Sequence, residues 1–353
     1  MKPTRKLVVY SLALAALMFP QASRGAGDKT LSYGVGLRAG GGYTLYASGS
    51  SPNTIGITTL DVRPYISGQL YQVFKFEGNL DLNNADSGRI HVLDAVVKLE
   101  PDDLFNFWIG RFLPPSDRAN LSGPYYQNSW YFPNVNAYPS IYAGRADGAA
   151  IWGQINKGQF KYQAGYFTTN PTTPADEGIY AGRLVFNFLD PEPGYYNSST
   201  YYGSKDVLAL GGSIQYQKLG SVFMPTPGTT TRKDFLGFNV DLLFEKRLPI
   251  GEGDTVSLEG AYYNFNKGSQ GWSFFALASY LIGNKIGIGK LQGVFRYAQL
   301  MPTSGGDPER TIDGGINYII DGHNARLALV VQNINPPNAA STTSFTLNAQ
   351  IQL

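Results

Sequence analysis

Segment after segment of this chain alternates, residue by residue, between an apolar and a polar set, and the polar set carries charge. Residues 343–353 show the pattern cleanly. Phe345, Leu347, Ala349, Ile351 and Leu353 take alternate positions, with Ser344, Thr346, Asn348, Gln350 and Gln352 between them. Successive side chains of a strand point to opposite faces, so this strand has one apolar face and one of amides and hydroxyls. About sixteen such segments follow one another with no helical-period stretch between them. One sets Leu236, Phe238, Val240, Leu242 and Phe244 against Asn239, Asp241 and Glu245. Another sets Phe74, Phe76, Leu80 and Leu82 against Lys75, Glu77, Asn79 and Asp81.

A soluble sandwich also alternates, but its inner face is dry and cannot hold charge after charge. An open sheet of this many strands curls or splits beyond about ten. In lipid every backbone group must be paired within the protein, so a sheet there has to close. Aromatic residues gather near segment ends, among them Tyr43, Phe74, Phe112, Tyr180, Phe244, Trp272 and Phe345, as the interfacial girdles of a membrane barrel require. The predicted fold is all-β: a closed antiparallel transmembrane β-barrel of about 16 strands, with outer-membrane lipid against its apolar face.

Connection lengths support this. Residues 100–103, 156–159 and 321–324 hold the Gly, Asn, Asp or Pro that tight hairpins demand. Longer polar segments at 49–53, 168–177, 218–233, 302–310 and 335–342 fall between them. Short turns on one rim and long loops on the other is the outer-membrane plan. Residues 190–205, on the short-turn side, break the regularity. An even strand count puts both chain ends at the short-turn rim.

At the N-terminus, Lys2, Arg5 and Lys6 precede the apolar run 7–19 and then a small-residue stretch, the order of a secretory signal peptide. The expected division is a signal segment 1–25, cleaved near Gly25, and a barrel 26–353. The full chain has 28 basic and 26 acidic residues; loss of Lys2, Arg5, Lys6 and Arg24 leaves 24 against 26, a net charge of −2. The basic balance therefore belongs to the signal, and no nucleic-acid partner is implied. Cysteine is absent, so an exported chain like this is held without disulfides.

Sixteen strands enclose a lumen too wide for wall side chains alone to fill, so it holds water, and its selectivity is set where it is narrowest. The longest gap between strands, residues 113–144, is the candidate constriction. It contains Pro114, Pro115, Pro124, Pro133 and Pro139 with Tyr125, Tyr126, Trp130, Tyr131, Phe132, Tyr138 and Tyr142. Loops this long are functional or disordered, and such aromatic content speaks against disorder. It is the third loop on the long-loop rim, and either folds into the lumen or forms an external cap or subunit contact. By phase and position the pore-lining candidates are Arg111, Asp117, Arg118, Arg145, Arg183, Arg296, Arg326, Asp94, Lys75 and Glu77, with Arg38, Arg63, Lys98 and Lys161 also inward.

The segments Leu93-Asp94-Ala95, Gly110-Arg111-Phe112-Leu113-Pro114-Pro115-Ser116, Gly182-Arg183 and the block from Gly314 through Leu327 resemble the phosphate-selective porin O/P family. The resemblance spans most of the mature chain. It implies a sixteen-stranded barrel, usually a homotrimer, with the third loop folded inward, passing small hydrophilic solutes or anions across the Gram-negative outer membrane. The family's phosphate-selective members share a ladder of lumenal arginines and a lysine cluster. Here inward acids (Asp61, Glu77, Asp81, Asp94, Asp241, Glu245, Glu259, Asp313) nearly match the bases, the long loop has no lysine cluster, and the chain ends in Leu353 where porins commonly end in an aromatic.

Two other classes are weighed. Serine–histidine catalysis needs a histidine held by a third group, and the two histidines, His91 and His323, lie at a strand start and in a tight turn. No cofactor site and no metal cluster is read from the sequence. A barrel scaffold sheathing a partner, such as an electron-carrying protein, would show a wide lumen with no inward loop.

Overall fold

The computed structural model describes residues 29–47, 51–83, 89–169, 178–223, 231–267, 270–302 and 306–353. The expected signal segment 1–25 and its cleavage point lie outside the described residues. Sixteen strands form: β1 (Lys29–Tyr46), β2 (Thr54–Leu70), β3 (Phe74–Asn83), β4 (Ile90–Leu99), β5 (Asn106–Phe112), β6 (Ala146–Ile155), β7 (Phe160–Thr168), β8 (Ile179–Asn187), β9 (Val207–Phe223), β10 (Thr231–Arg247), β11 (Thr255–Lys267), β12 (Gln270–Leu281), β13 (Lys290–Pro302), β14 (Glu309–Asp321), β15 (Ala325–Asn335) and β16 (Thr342–Gln352).

Each strand pairs antiparallel with its sequence neighbours, and β16 returns to β1, from Gly36↔Gln352 to Tyr46↔Thr342. Closure leaves no sheet edge, which lipid requires. The outward face is the apolar set read from the sequence: Leu329, Ile316, Phe295, Leu184 and Tyr180 are all exposed. No helix among the described residues is long and apolar enough to cross a membrane. The segment expected as loop 218–233 is instead mostly strand, since β9 runs on to Phe223 and β10 begins at Thr231, with a register shift between Lys233 and Phe235.

Two inward expectations change. Leu93, which alternation with the inward Asp94 would turn outward, is 2% exposed. Asn79 pairs with Asp94 but Leu80 pairs with Val92, so Leu93 is the extra residue of a bulge and turns inward. Arg111, read as inward, lies on the outer face of β5. Trp108 and Phe112 take the buried inner positions, and Arg111 donates outward to Asp147 on β6 at 2.6 and 2.9 Å.

Two connections do not stay at the rims. On the loop rim, residues 113–145 enter the barrel. On the opposite rim, which carries both chain ends, residues 188–206 do the same; this second segment is called the strap below.

Candidate functional site

The long loop descends as a buried run from Phe112 to Ser122. Asp117 caps a short helix, α1 (Arg118–Ser122), by accepting from the Asn120 backbone amide, the usual N-cap arrangement. Wall residues then hold the segment. Gln215 donates to the Pro115 carbonyl at 2.9 Å, Tyr263 to the Asp117 carboxylate at 2.7 Å, and the Arg118 amide to Asp241 at 3.3 Å.

Further along, three inward arginines grip the loop backbone. Arg326 donates to the Gln127 carbonyl at 2.7 Å, Arg38 to that of Trp130 at 2.7 Å, and Arg296 to those of Tyr131 and Phe132 at 2.6 and 3.2 Å. Asp313 bridges Arg296 and the Ser129 hydroxyl. The loop is thus anchored around the lumen from β9 to β1. Its return leg closes on the facing wall, where Tyr142 donates to Asp81 and Arg145 reaches Asp94 at 3.4 Å.

The strap meets the loop from below. Arg118 and Glu192 form a two-pronged ion pair at 2.7 and 2.6 Å, each side chain 1% exposed. Burial alone would raise the Glu192 carboxyl, but the Arg118 charge and its hydrogen bonds overcome it and hold the group down to about 2. Tyr195 inserts among Trp108, Phe112 and Trp152, which explains why the inner face of β5 is apolar. On the same rim, burial lowers His323 to about 4; its Nε2 faces the Thr200 carbonyl at 2.9 Å. Burial, reinforced by the Asp241 carboxylate, pushes Asp117 up to about 6.

An acid whose pKa is raised in the folded state holds its proton more tightly there, so stability falls as pH rises from about 4 through about 6. Asp117→Asn keeps a capping acceptor and removes that charge. It is expected to stabilise the barrel at pH 7 by on the order of 1–3 kcal/mol and to do nothing at pH 4. Urea unfolding in lipid vesicles at both pH values checks this; an equal effect at the two rejects it.

Loop and strap fill most of the lumen along β5 to β16, and open space remains along β1 to β4, where the loop touches the wall only in places such as Arg38, Asp81 and Asp94. A cavity of about 880 Å³ lies toward the chain-end rim, lined by Glu77, Asn79, Asp94, Tyr126, Lys205 and Gln352 among others. A second of about 290 Å³ lies on the loop side, against Arg38, Asn136, Tyr138 and Ser140. Arg63, Pro124 and Arg145 line both, and so stand between them. Their counter-ions are less exposed: the Arg63 side chain is 15% exposed against 1% for Asp81, and Arg145 11% against 5% for Asp94, which lines the larger cavity only.

A family model of phosphate-selective porins O and P matches residues 59–271, more than half of the chain. The chain belongs to that family. It is an outer-membrane porin, a channel for small solutes. No curated protein matches it. OprB of Pseudomonas putida superposes on the porin with a TM-score of 0.60 at 9% identity, over 92% of this chain and 94% of that one. An anion-selective porin from Comamonas acidovorans gives 0.59 at 13%, over 92% and 100%. The trimer form of in-vitro folded OmpT from Vibrio cholerae gives 0.56 at 15%, over 93% and 100%. At such identities these likenesses show the shared barrel fold.

Of the sequence candidates, the porin brings Asp94, Arg145 and Glu77 to the open passage. Arg118, Arg183, Arg296 and Arg326 are sealed beneath loop and strap, and Asp117 with them. Lys75 stands near the chain-end rim, paired with Glu100 at 2.6 Å. Arg111 is on the outer wall. Sequence phase placed Arg63 inward without singling it out; Pro124 was named only among the prolines of the candidate constriction, and Glu192 was passed over. The one available signal for Glu192 was the unusual length of the strap.

Proposed function

We propose that this porin is exported by its N-terminal signal to the Gram-negative outer membrane and passes small hydrophilic solutes with a preference for anions. The observation that carries the preference is where the two cavities meet: the two side chains of fixed charge that line both are Arg63 and Arg145, whereas Asp94, the partner of Arg145, lines only the larger and Asp81, the partner of Arg63, lines neither. Charge of one sign at the narrowest point of a low-dielectric passage biases the ions that enter. The anion-selective Comamonas porin shares the fold. A homotrimer is proposed on the likeness to the trimeric OmpT form. A channel is favoured over an enzyme by the family and by the geometry of His323, whose Nε2 is taken by a backbone carbonyl. The filled lumen argues against a sheath for a partner protein.

Planar-bilayer recording of the purified protein in a salt gradient tests this. The wild type is expected to show discrete steps and an anion-favouring reversal potential. Arg63→Ala and Arg145→Ala are expected to lower the anion:cation permeability ratio at least about threefold each. Cation preference in the wild type, or no change in either variant, sinks the anion reading; no channel steps at all sinks the porin reading.

A further inference from the structure

Short turns suffice to join strands on the chain-end rim, as residues 71–73 and 322–324 show. The strap spends 188–206 on the same task and is far from idle. From Gly194 to Gly203 it is bonded inward. Gly194 donates from its amide to Gln154 and accepts from Lys161, and the Tyr195 carbonyl accepts from Gln163. The Ser199 amide donates to the Tyr126 carbonyl of the long loop at 3.1 Å. Glu245 accepts from the Tyr201 and Gly203 amides and from the hydroxyls of Thr200 and Ser257.

Two relations to the passage follow from this path. Pro193, Tyr196, Asn197, Ser198, Tyr201 and Lys205 form one wall of the 880 Å³ cavity, opposite Arg63, Glu77 and Asp94 on β2 to β4. Beneath that wall, Glu192 takes both prongs of Arg118 and also the Tyr201 hydroxyl, while Arg118 donates to the Ser198 carbonyl. One buried pair thus ties strap to loop. Neither partner has water to fall back on, so the pair fixes the relative position of the two segments more firmly than surface contacts do.

We infer that the strap is a second selectivity element of this porin, entering from the rim opposite the long loop: its residues form a wall that solutes touch, and Glu192 is the positioning residue that fixes the stretch of loop from Arg118 to Tyr126, which also lines the cavity, and so sizes the passage. This rests on the porin reading. If the wild type gives no channel steps, that reading fails; if it conducts and the variants below match it, only the present inference fails.

The test uses the full barrel in planar bilayers, with polyethylene glycols of graded size as probes of the exclusion limit. Glu192→Gln keeps the shape and removes the charge. It is expected to change single-channel conductance at least about 1.5-fold and shift the polymer exclusion limit, with Glu192→Asp returning most of the wild-type value. A destabilised but correctly sized pore would not move the exclusion limit, so unchanged conductance and exclusion overturn the positioning role. Lys205→Glu tests the wall at a partly buried side chain, and Lys205→Gln, which also loses the charge but can still donate to the Pro191 carbonyl, controls for that bond. The reversal potential of Lys205→Glu is expected to shift toward cations; an unshifted value overturns the wall role, and this variant carries the test where Glu192→Gln does not fold.

Discussion

An arginine in place of Leu347 is expected to destabilise the folded barrel by about 2–4 kcal/mol. Leu347 lies in the middle of β16, 60% exposed, between Gly41 on β1 and Leu329 on β15. In a soluble protein such a position would welcome a charge. In a bilayer the guanidinium has no water, no carboxylate and no lumen to turn to, and it must snorkel or thin the lipid around it. Ser67→Arg is the matched control. Ser67 faces the 880 Å³ cavity and sits across from Glu77, so an arginine there stays hydrated and gains a counter-charge; a change within about 1 kcal/mol is expected. Urea unfolding from vesicles measures both. Equal midpoints for the two variants would show that the face around Leu347 does not meet lipid.

This asymmetry between faces is why so much of the fold was legible. The inner and outer sets differ in chemistry along every strand, so alternation alone gave the strand number, the antiparallel order and the phase of β7, β8, β11 and β14 to β16. The places where phase failed have separate physical causes. Leu93 turns inward because one extra residue in β4 shifts the register, and a single bulge residue leaves no signature in composition. Arg111 turns outward because the inner side of β5 is not water there. Tyr195 of the strap packs against it, so Trp108 and Phe112 occupy the positions that a wet lumen would have given to charge.

The site was less legible for a related reason. Phase places a side chain on the inner face but does not say whether water or protein lies beyond it. The loop was recognisable by its length, prolines and aromatics, and it does enter the lumen. What covers what depends on pairings such as Arg118 with Glu192, which lie in different connections from opposite rims, and on carbonyls of residues 127–132 that carry no sequence mark. Arg296 and Arg326 therefore look like pore wall in the sequence and serve as anchors for the loop in the fold, while Arg63 and Arg145 keep the passage.

Arg183→Leu separates these two roles by magnitude. Arg183 on β8 reaches over β9 to bind Asp241 on β10, at 2.5 and 2.9 Å, with both side chains almost wholly buried. Gly211 of β9 permits the crossing, because a Cβ there would come within 2.5 Å of the Arg183 Nη2. If the lumen at this level were open water, the pair would be worth about 0–1 kcal/mol and the variant would be nearly silent. Beneath the loop, the variant leaves the Asp241 carboxylate buried without its cation, and a loss of about 3–5 kcal/mol is expected. Removing both charges, as Arg183→Leu with Asp241→Leu, is expected to recover most of that loss, since a well-filled apolar pair replaces a buried ion pair at little cost. Asp241 also accepts from the Arg118 amide, so the single variant should loosen the start of α1 and make the open channel noisier. Urea unfolding of the single and double variants, with bilayer recordings beside it, decides the matter: a silent single variant puts water where the loop lies, and a double variant no better than the single one would mean that the loss came from packing and not from the stranded charge.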